Sequence, residues 1–173
     1  VVNRSAPVVH YLALLQREIE TVARHLPGSH PVTHIHLGGG SPSMLTPRQV
    51  RDLFDCLKHH FVIAPDAEIA VEIDPRGFTA DKAAAFSQAG LTRASIGVQD
   101  LDPAVQEAVN RIQPFDVTAH AVDLLREQGV AGLNIDLMYG LPYQTVAGTV
   151  DTVERLRALK PDRVALFGYA HVP

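Results

Sequence analysis

The sequence is short of cysteine, of clustered positive charge and of long apolar stretches. Its only cysteine among 173 residues is Cys56, which excludes a disulfide framework and fits a reducing, cytoplasmic setting. One cysteine is also too few for a structural zinc site, or for an iron–sulfur cluster held by this chain alone. We therefore expect no metal site within the chain. Cys56 shares a helical pattern with Val50, Leu53 and Leu57, and we interpret it as a packing residue.

The charge and the hydropathy exclude two further classes of protein. The formal net charge is −4 and there is no basic tract, so the sequence does not favour a protein that binds nucleic acid. No apolar run reaches the roughly eighteen residues that a membrane-spanning helix needs. Hydrophobic residues make up 46% of the chain and charged residues 20%, which is typical of a globular domain. We expect a monomer.

What the sequence does contain is a regular alternation of helix-like and strand-like segments. Helical patterns cover residues 10–26, 47–60, 79–89, 103–110, 116–128 and 146–159, and strand-like runs cover residues 33–37, 68–73, 93–98, 132–137 and 163–167. Thr46 before Pro47 and Asp102 before Pro103 are typical helix starts. The alternation predicts parallel βαβ units. About five strands are too few for a closed eight-stranded barrel, so an open sheet or a partial barrel follows.

Three of the strands alternate an apolar face with a face of small or polar residues. The polar faces carry Ala70, Glu72 and Asp74, then Ser95, Gly97 and Gln99, then Asn134 and Asp136. A buried, unpaired carboxylate is costly, so Glu72 and Asp136 need partners, water or a ligand. These residues lie near the carboxyl ends of the strands, where α/β folds place their sites. The pattern predicts a polar-lined half-barrel that holds a sizeable polar ligand.

Two motifs on the first strand suggest different ligands. The turn Gly38-Gly39-Gly40 exposes bare backbone, but it lacks the lysine of a phosphate-binding loop. His34 and His36 lie two apart on the strand and point the same way. They could bind a catalytic metal, with Asp136 or His171 as a further ligand. A simple tight turn, and structural roles for Glu72 and Arg111, remain open alternatives.

Six motifs, taken in order, carry a resemblance to a known family. They are residues 38–43 (GGGSPS), 72–76 (EIDPR), 97–100 (GVQD), 110–113 (NRIQ), 134–142 (NIDLMYGLP) and 169–173 (YAHVP). Together they resemble the oxygen-independent coproporphyrinogen III oxidases, which are radical S-adenosylmethionine (SAM) enzymes of haem biosynthesis. The resemblance implies a partial, TIM-like (β/α)6 barrel. It also implies two SAM molecules, and a [4Fe–4S] cluster held by a C-x-x-x-C-x-x-C loop.

The resemblance further implies an activity and a set of binding residues. The reaction would be the oxidative decarboxylation of two propionates of coproporphyrinogen III to vinyl groups, with electrons from a flavodoxin or ferredoxin. By motif position, Gly39 and Glu72 would contact the cluster-bound SAM. The second SAM would be contacted by Gly40, Ser41, Gln99, Arg111, Asp136 and Ala170.

The sequence departs from the family where the cluster should be. The cluster cysteines, the first strand and the C-terminal domain are missing, so we expect residues 1–173 to be the barrel core of a longer enzyme, with the cysteines upstream of Val1. The chain alone is expected not to cleave SAM reductively, and its first strand is expected to be an exposed edge. Two alternatives stay open, a haem chaperone of the same superfamily and a metal-dependent hydrolase that uses His34 and His36.

Overall fold

Helices and strands alternate along the whole of the described chain. The computed structural model describes residues 5–26, 28 and 31–170. The elements are α1 (Ser5–His25), β1 (Val32–Leu37), α2 (Pro47–His60), β2 (Ile63–Ile73), α3 (Ala80–Ala89), β3 (Arg93–Gln99), α4 (Pro103–Ala108), α5 (Phe115–Glu127), β4 (Gly132–Tyr139), α6 (Val146–Arg157) and β5 (Arg163–Gly168). Among the helices so described, none is long and apolar enough to cross a bilayer.

The five strands form one parallel sheet whose spatial order follows the chain order, β1-β2-β3-β4-β5. Every neighbouring pair is parallel, and the sheet curls into a half-barrel. Consecutive parallel strands joined by helices give this arrangement when every crossover has the same hand. The predicted partial barrel is therefore confirmed.

The hydrophobic core lies between the convex face of the sheet and the helices. Val71, Ile96 and Ile135 from the three central strands are at most 1% exposed, and they belong to one cluster with Phe54 of α2 and Phe86 of α3. Burying an aliphatic or aromatic side chain of this size contributes about 1.5–3 kcal/mol. In β3 buried and half-buried residues alternate without exception, so the other face of each strand is left for the concave side.

The helix starts predicted from the sequence are present. The Thr46 hydroxyl accepts from the Gln49 amide at 3.3 Å, and the Gln49 side chain accepts from the Thr46 amide at 2.9 Å, which is a capping box. Asp102 caps α4 by accepting from the Ala104 amide at 2.8 Å. Such caps fix where each helix begins, and they leave the loops before them free to build the rim of the half-barrel.

Some element boundaries differ from those that the pattern predicts. Strand β2 begins at Ile63, five residues before the predicted residue 68. Its first part was not predicted because Pro65 and Asp66 are poor strand formers. The pairing of β1 with β2 changes register between Val32 and His34. Helix α1 begins at Ser5 rather than residue 10. A short 3-10 turn at Pro42–Met44, which no pattern predicts, follows the glycine turn.

Candidate functional site

A polar pocket of about 160 Å³ lies at the carboxyl ends of the strands. We call it the rim pocket. Six of the eight residues that the sequence proposes as ligand contacts line it: Gly40, Ser41, Glu72, Gln99, Arg111 and Asp136. Ile73, Asp74, Ser95 and Gly97 complete the lining. The structure thus brings residues from five separate motifs to one place, and it puts Glu72 and Asp136 on the same face of the sheet.

The glycine turn holds the carboxylate of Glu72. The Gly39 amide donates to Glu72 Oε2 at 3.1 Å, and His36 Nε2 lies 3.4 Å from Glu72 Oε1. Gly39 and Gly40 both adopt left-handed backbone, with φ of +69° and +62°, which glycine reaches without steric cost. Gly39 was predicted to contact a ligand. In the structure its amide contacts Glu72, outside the lining of the pocket.

A second carboxylate, that of Asp136, is held by two neighbours on the concave face. The Ser95 hydroxyl donates to Asp136 Oδ2 at 2.8 Å, and the Asn134 amide donates to Asp136 Oδ1 at 2.7 Å. The same Asn134 nitrogen also lies 2.7 Å from Ser95 Oγ, to which it donates. The expectation that these carboxylates need partners is met, and the bonds fix the direction in which each faces the pocket.

A local irregularity in β3 aims Gln99 at the pocket. The register between β3 and β4 shifts between Gly97 and Gln99, and Gln99 is left-handed, with φ of +71°. A bulge of this kind redirects a side chain. A Cβ at Gly97 would lie 3.1 Å from Arg111 Nη2 and 3.2 Å from Gln99 Nε2. Because Gly97 has no side chain, there is space beside it for the side chains of Arg111 and Gln99.

Arg111 reaches the rim pocket from the loop after α4. Its Nη2 donates to the Gly97 carbonyl at 3.0 Å, and its Nη1 lies 3.8 Å from Asp74 Oδ2. Within the described residues its buried Nε has no hydrogen-bond partner. Burial lowers the pKa of Arg111 from its ordinary value, against the opposing charge of Asp74. The guanidinium remains a cation at neutral pH.

Asp74 anchors two arginines at the end of β2. Its carboxylate accepts from Arg76 Nη2 at 2.7 Å and from Arg76 Nε at 3.0 Å. Burial alone would raise the pKa of Asp74, but hydrogen bonds from Arg76 and the charges of Arg76 and Arg111 hold that pKa below its ordinary value. The anionic form of Asp74 is thus favoured, and its charge helps to keep Arg111 at the pocket.

Two other predicted positions lie outside the rim pocket. Ala170 is exposed two residues beyond β5, at the same edge of the sheet but outside the lining of the rim pocket. The Nδ1 atom of His34 contacts its neighbour Thr33, and in the part of the chain that the structure describes no group of three His, Cys, Asp or Glu residues could hold a metal. The alternative further ligand, His171, lies outside the described residues.

A larger cavity, of about 590 Å³, opens on the concave face below the rim pocket. We call it the concave cavity. It is lined by His36, Glu68, Ala70, Arg93, Ser95, Asn134, Arg163, Val164 and Ala165, and it adjoins the rim pocket at Ser95. Ligand sites for small molecules usually measure about 300–1,000 Å³. A ligand held at the rim would therefore extend onto the concave face.

Sequence reasoning missed the buried polar residues that support the rim. Asp100 is 2% exposed, and it accepts from the Asp102 amide at 2.7 Å, from Thr152 Oγ1 at 3.2 Å and from Gln144 Nε2. Gln113 is fully buried and donates to the same Gly97 carbonyl as Arg111. Only their membership of the motifs at residues 97–100 and 110–113 singles these residues out, because their types alone predict a surface position.

The rim pocket combines three carboxylates, of which Asp74 is paired with arginines, with one guanidinium and bare backbone. Carboxylates accept hydrogen bonds from hydroxyl and ammonium groups, and a guanidinium binds a carboxylate through paired donors. The arrangement therefore suits a zwitterionic ligand that carries hydroxyl groups. A parallel half-barrel with such a site at its strand ends defines a class of enzyme cores that bind a small-molecule cofactor at the barrel mouth.

Comparison with known proteins gives the family. The model of the Radical SAM superfamily matches residues 4–156, and the chain belongs to that superfamily. It is 50% identical over 173 residues to the oxygen-independent coproporphyrinogen III oxidase of Bradyrhizobium diazoefficiens, covering 100% of this chain and 38% of that protein. It is 45% identical over 168 residues to the anaerobic coproporphyrinogen III oxidase 1 of Cereibacter sphaeroides, covering 97% of this chain and 37% of that protein.

A solved structure gives the same picture. The structure of coproporphyrinogen III oxidase (HemN) from Escherichia coli, a radical SAM enzyme, matches with a TM-score of 0.95 and 38% identity, covering 100% of this chain and 40% of that chain. The predicted radical SAM superfamily and partial-barrel fold are confirmed. The chain spans well under half the length of these relatives.

Proposed function

We propose that this chain is the barrel core of an oxygen-independent coproporphyrinogen III oxidase. The whole enzyme would decarboxylate two propionates of coproporphyrinogen III oxidatively to vinyl groups and give protoporphyrinogen IX. The observation that carries the proposal is the convergence of Gly40, Ser41, Glu72, Gln99, Arg111 and Asp136 on one pocket. Identity of 38–50% to such oxidases over the full chain supports it.

The residues of the rim pocket fit SAM. Arg111 would be the cation for the methionyl carboxylate of the second SAM, and Asp136 an acceptor for its ammonium group or ribose hydroxyls. Glu72 would accept from the same groups of the cluster-bound SAM. When bound and reductively cleaved, SAM supplies the radical chemistry. The chain's own residues bind and orient the cofactor and exclude water. The pocket is too small for the whole molecule, so part of it would lie on the concave face.

The residues of this chain do not fit the [4Fe–4S] cluster. Its one cysteine, Cys56, is half-buried on α2. Burial, with a smaller contribution from the charge of Glu20, raises the pKa of its thiol and so disfavours the thiolate that ligates iron. We assign no step to the cluster, and the proposal places its ligands outside residues 1–173.

The remaining parts of the proposal concern partners and location. We infer a monomer in the cytoplasm that receives electrons from a flavodoxin or ferredoxin. A single cysteine fits a reducing compartment. No observation favours the haem-chaperone or the hydrolase alternative, since the relatives reported above are oxidases and His36 contacts Glu72.

The test is Arg111→Ala in the full-length enzyme. We expect SAM affinity to fall at least tenfold, because the one cation in the pocket is lost, and anaerobic turnover to fall with it. Calorimetric titration with SAM and assay of protoporphyrinogen formation measure the two effects. Arg48→Ala is the matched control, since the Arg48 side chain is 86% exposed on α2. Unchanged SAM affinity and turnover in the Arg111 variant would contradict the proposal.

A further inference from the structure

Two arginines line the concave cavity below the rim pocket, Arg93 on β3 and Arg163 on β5. Both also line a smaller cavity of about 300 Å³ at the amino end of the strands. Arg93 Nη2 lies 2.7 Å from Glu68 Oε2, so the carboxylate in the concave cavity is already paired. Among residues 5–26, 28 and 31–170, no ion pair or side-chain hydrogen bond engages the guanidinium of Arg163. The cavity therefore carries a net positive charge.

The register of the sheet fixes where this charge lies relative to the rim pocket. Glu72 pairs with Ser95, Ser95 with Asn134, and Asn134 with Arg163. Arg163 is thus in the same cross-strand row as Glu72. The row has three steps of about 4.8 Å, so the two residues are separated by at most about 14 Å across a curled sheet. Asp136 of the rim pocket pairs with Ala165, two residues along β5 from Arg163.

We propose that Arg163, with Arg93 beside it, binds a carboxylate of the porphyrinogen substrate other than the one that reacts at the rim pocket. The inference rests on the proposed function and deepens it. Coproporphyrinogen III carries four propionates on one macrocycle, and two of them are kept in the product. A substrate lying across the concave face would present a retained propionate to Arg163 while a reacting propionate lies near Glu72 and Asp136.

The chemistry of the cavity favours a carboxylate over other groups. A guanidinium binds a carboxylate through two parallel hydrogen bonds, and Arg163 is exposed at the cavity, where an incoming carboxylate can reach it. Ala165 is an apolar neighbour of Arg163 on the same face of β5, and it would contact the macrocycle or the propionate chain. Hydroxyl or amine ligands would instead need acceptors, and Glu68, the cavity's carboxylate, is held by Arg93.

The experiment measures porphyrin binding by the full-length enzyme and by its Arg163→Gln variant. The probe is coproporphyrin III, the oxidised, non-reacting form of the substrate, titrated by fluorescence. We expect the variant to bind it roughly tenfold more weakly, as for the loss of one charge-assisted pair. Arg163→Lys should recover part of the affinity. SAM affinity should be unchanged, and Arg48→Gln should bind like the wild type.

The tetramethyl ester of coproporphyrin III tests whether binding depends on the carboxylate charge or on the shape of the macrocycle. Because it lacks carboxylates, it should bind the wild type and Arg163→Gln equally. The inference would be overturned if both proteins bound coproporphyrin III equally well. It would also be overturned if Arg163→Gln lost the same affinity for the free acid as for the ester. A lowered melting temperature with unchanged porphyrin affinity would assign Arg163 to a contact within the protein. If the wild type binds SAM but no porphyrin, the proposed substrate itself is wrong and this subsite falls with it.

Discussion

Gly38 is the position in the glycine turn where a side chain has no room. A Cβ there would lie 2.7 Å from His36 Nε2 and 2.8 Å from Glu72 Oε1. Gly39 and Gly40 have open space around them, and their constraint is the left-handed backbone. The three glycines therefore serve two purposes. Gly38 lets His36 and the turn close on Glu72, and Gly39 and Gly40 bend the backbone toward the pocket.

Gly38→Ala should weaken SAM binding without unfolding the protein. The new methyl group would displace the ends of the His36 and Glu72 side chains, which are flexible and about half exposed, so we expect the melting temperature to change little. Glu72 would lose its orientation, and we expect roughly a tenfold loss of SAM affinity in calorimetric titration of the full-length enzyme.

The matched control is Gly129→Ala. Gly129 is left-handed, with φ of +78° and no neighbour within 4 Å of a Cβ, and it follows α5 at the far end of the strands. We expect this variant to lose about 1 kcal/mol of stability through backbone strain and to keep its SAM affinity. Unaltered SAM binding by Gly38→Ala would contradict the role given to the pair of His36 and Glu72.

Among the individual residues of the site, the sequence predicts those that lie on a regular pattern. Glu72, Gln99 and Asp136 follow from the two-residue period of strands and from their position at strand ends. Arg111 does not, because it lies in a loop, and only the motif resemblance singles it out. The contact of Gly39 with Glu72 was not predictable either, since it joins two elements through a turn whose geometry no spacing encodes.

The loops that bear the site are tied together by one buried carboxylate. Asp100 follows β3, and it bonds to Thr152 of α6 and to Gln144, whose own side chain accepts from the Gly140 amide at 2.7 Å. Gln144 also donates to the Met138 carbonyl at 2.8 Å. The ends of β3 and β4 and the start of α6 are thus held in one arrangement next to the left-handed Gln99.

Asp100→Ala should destabilise the protein strongly. The change leaves the donors of Asp102, Thr152 and Gln144 without their acceptor in a site that is 2% exposed, which we expect to cost about 3 kcal/mol of unfolding free energy. Urea denaturation measures it. Asp151→Ala is the control, because the Asp151 side chain is 68% exposed on α6, and we expect it to change stability by less than about 0.5 kcal/mol. Equal stability of the two variants would count against the network.

The elements themselves are the best-predicted part of the molecule. Five strands and six helices follow from periodicity and from helix starts such as Thr46 and Asp102. The scaffold of Asp100, Gln113 and Gln144 is not predictable in this way. Polar types predict exposure, and their burial depends on partners that are far apart in the sequence.

The whole molecule is an open half-barrel with two edge strands. In the described residues β1 pairs with β2 alone and β5 with β4 alone. On β5, Val164 and Leu166 pair with the buried Ile135 and Leu137, so they continue the core face of the sheet. They are nevertheless 51% and 55% exposed. An apolar edge that is left open is a site for strand pairing between molecules.

We therefore expect this chain, produced by itself, to self-associate through β5, and Leu166→Lys to reduce that association. A lysine on an edge strand places a solvated charge where a second strand would pack, while the remaining core stays covered. Light scattering against concentration measures the effect. The control is Val9→Lys on α1, because Val9 is similarly exposed, at 57%, but lies on a helix with no free strand edge. If both lysine variants associate like the unmodified chain, the β5 edge is not the contact surface.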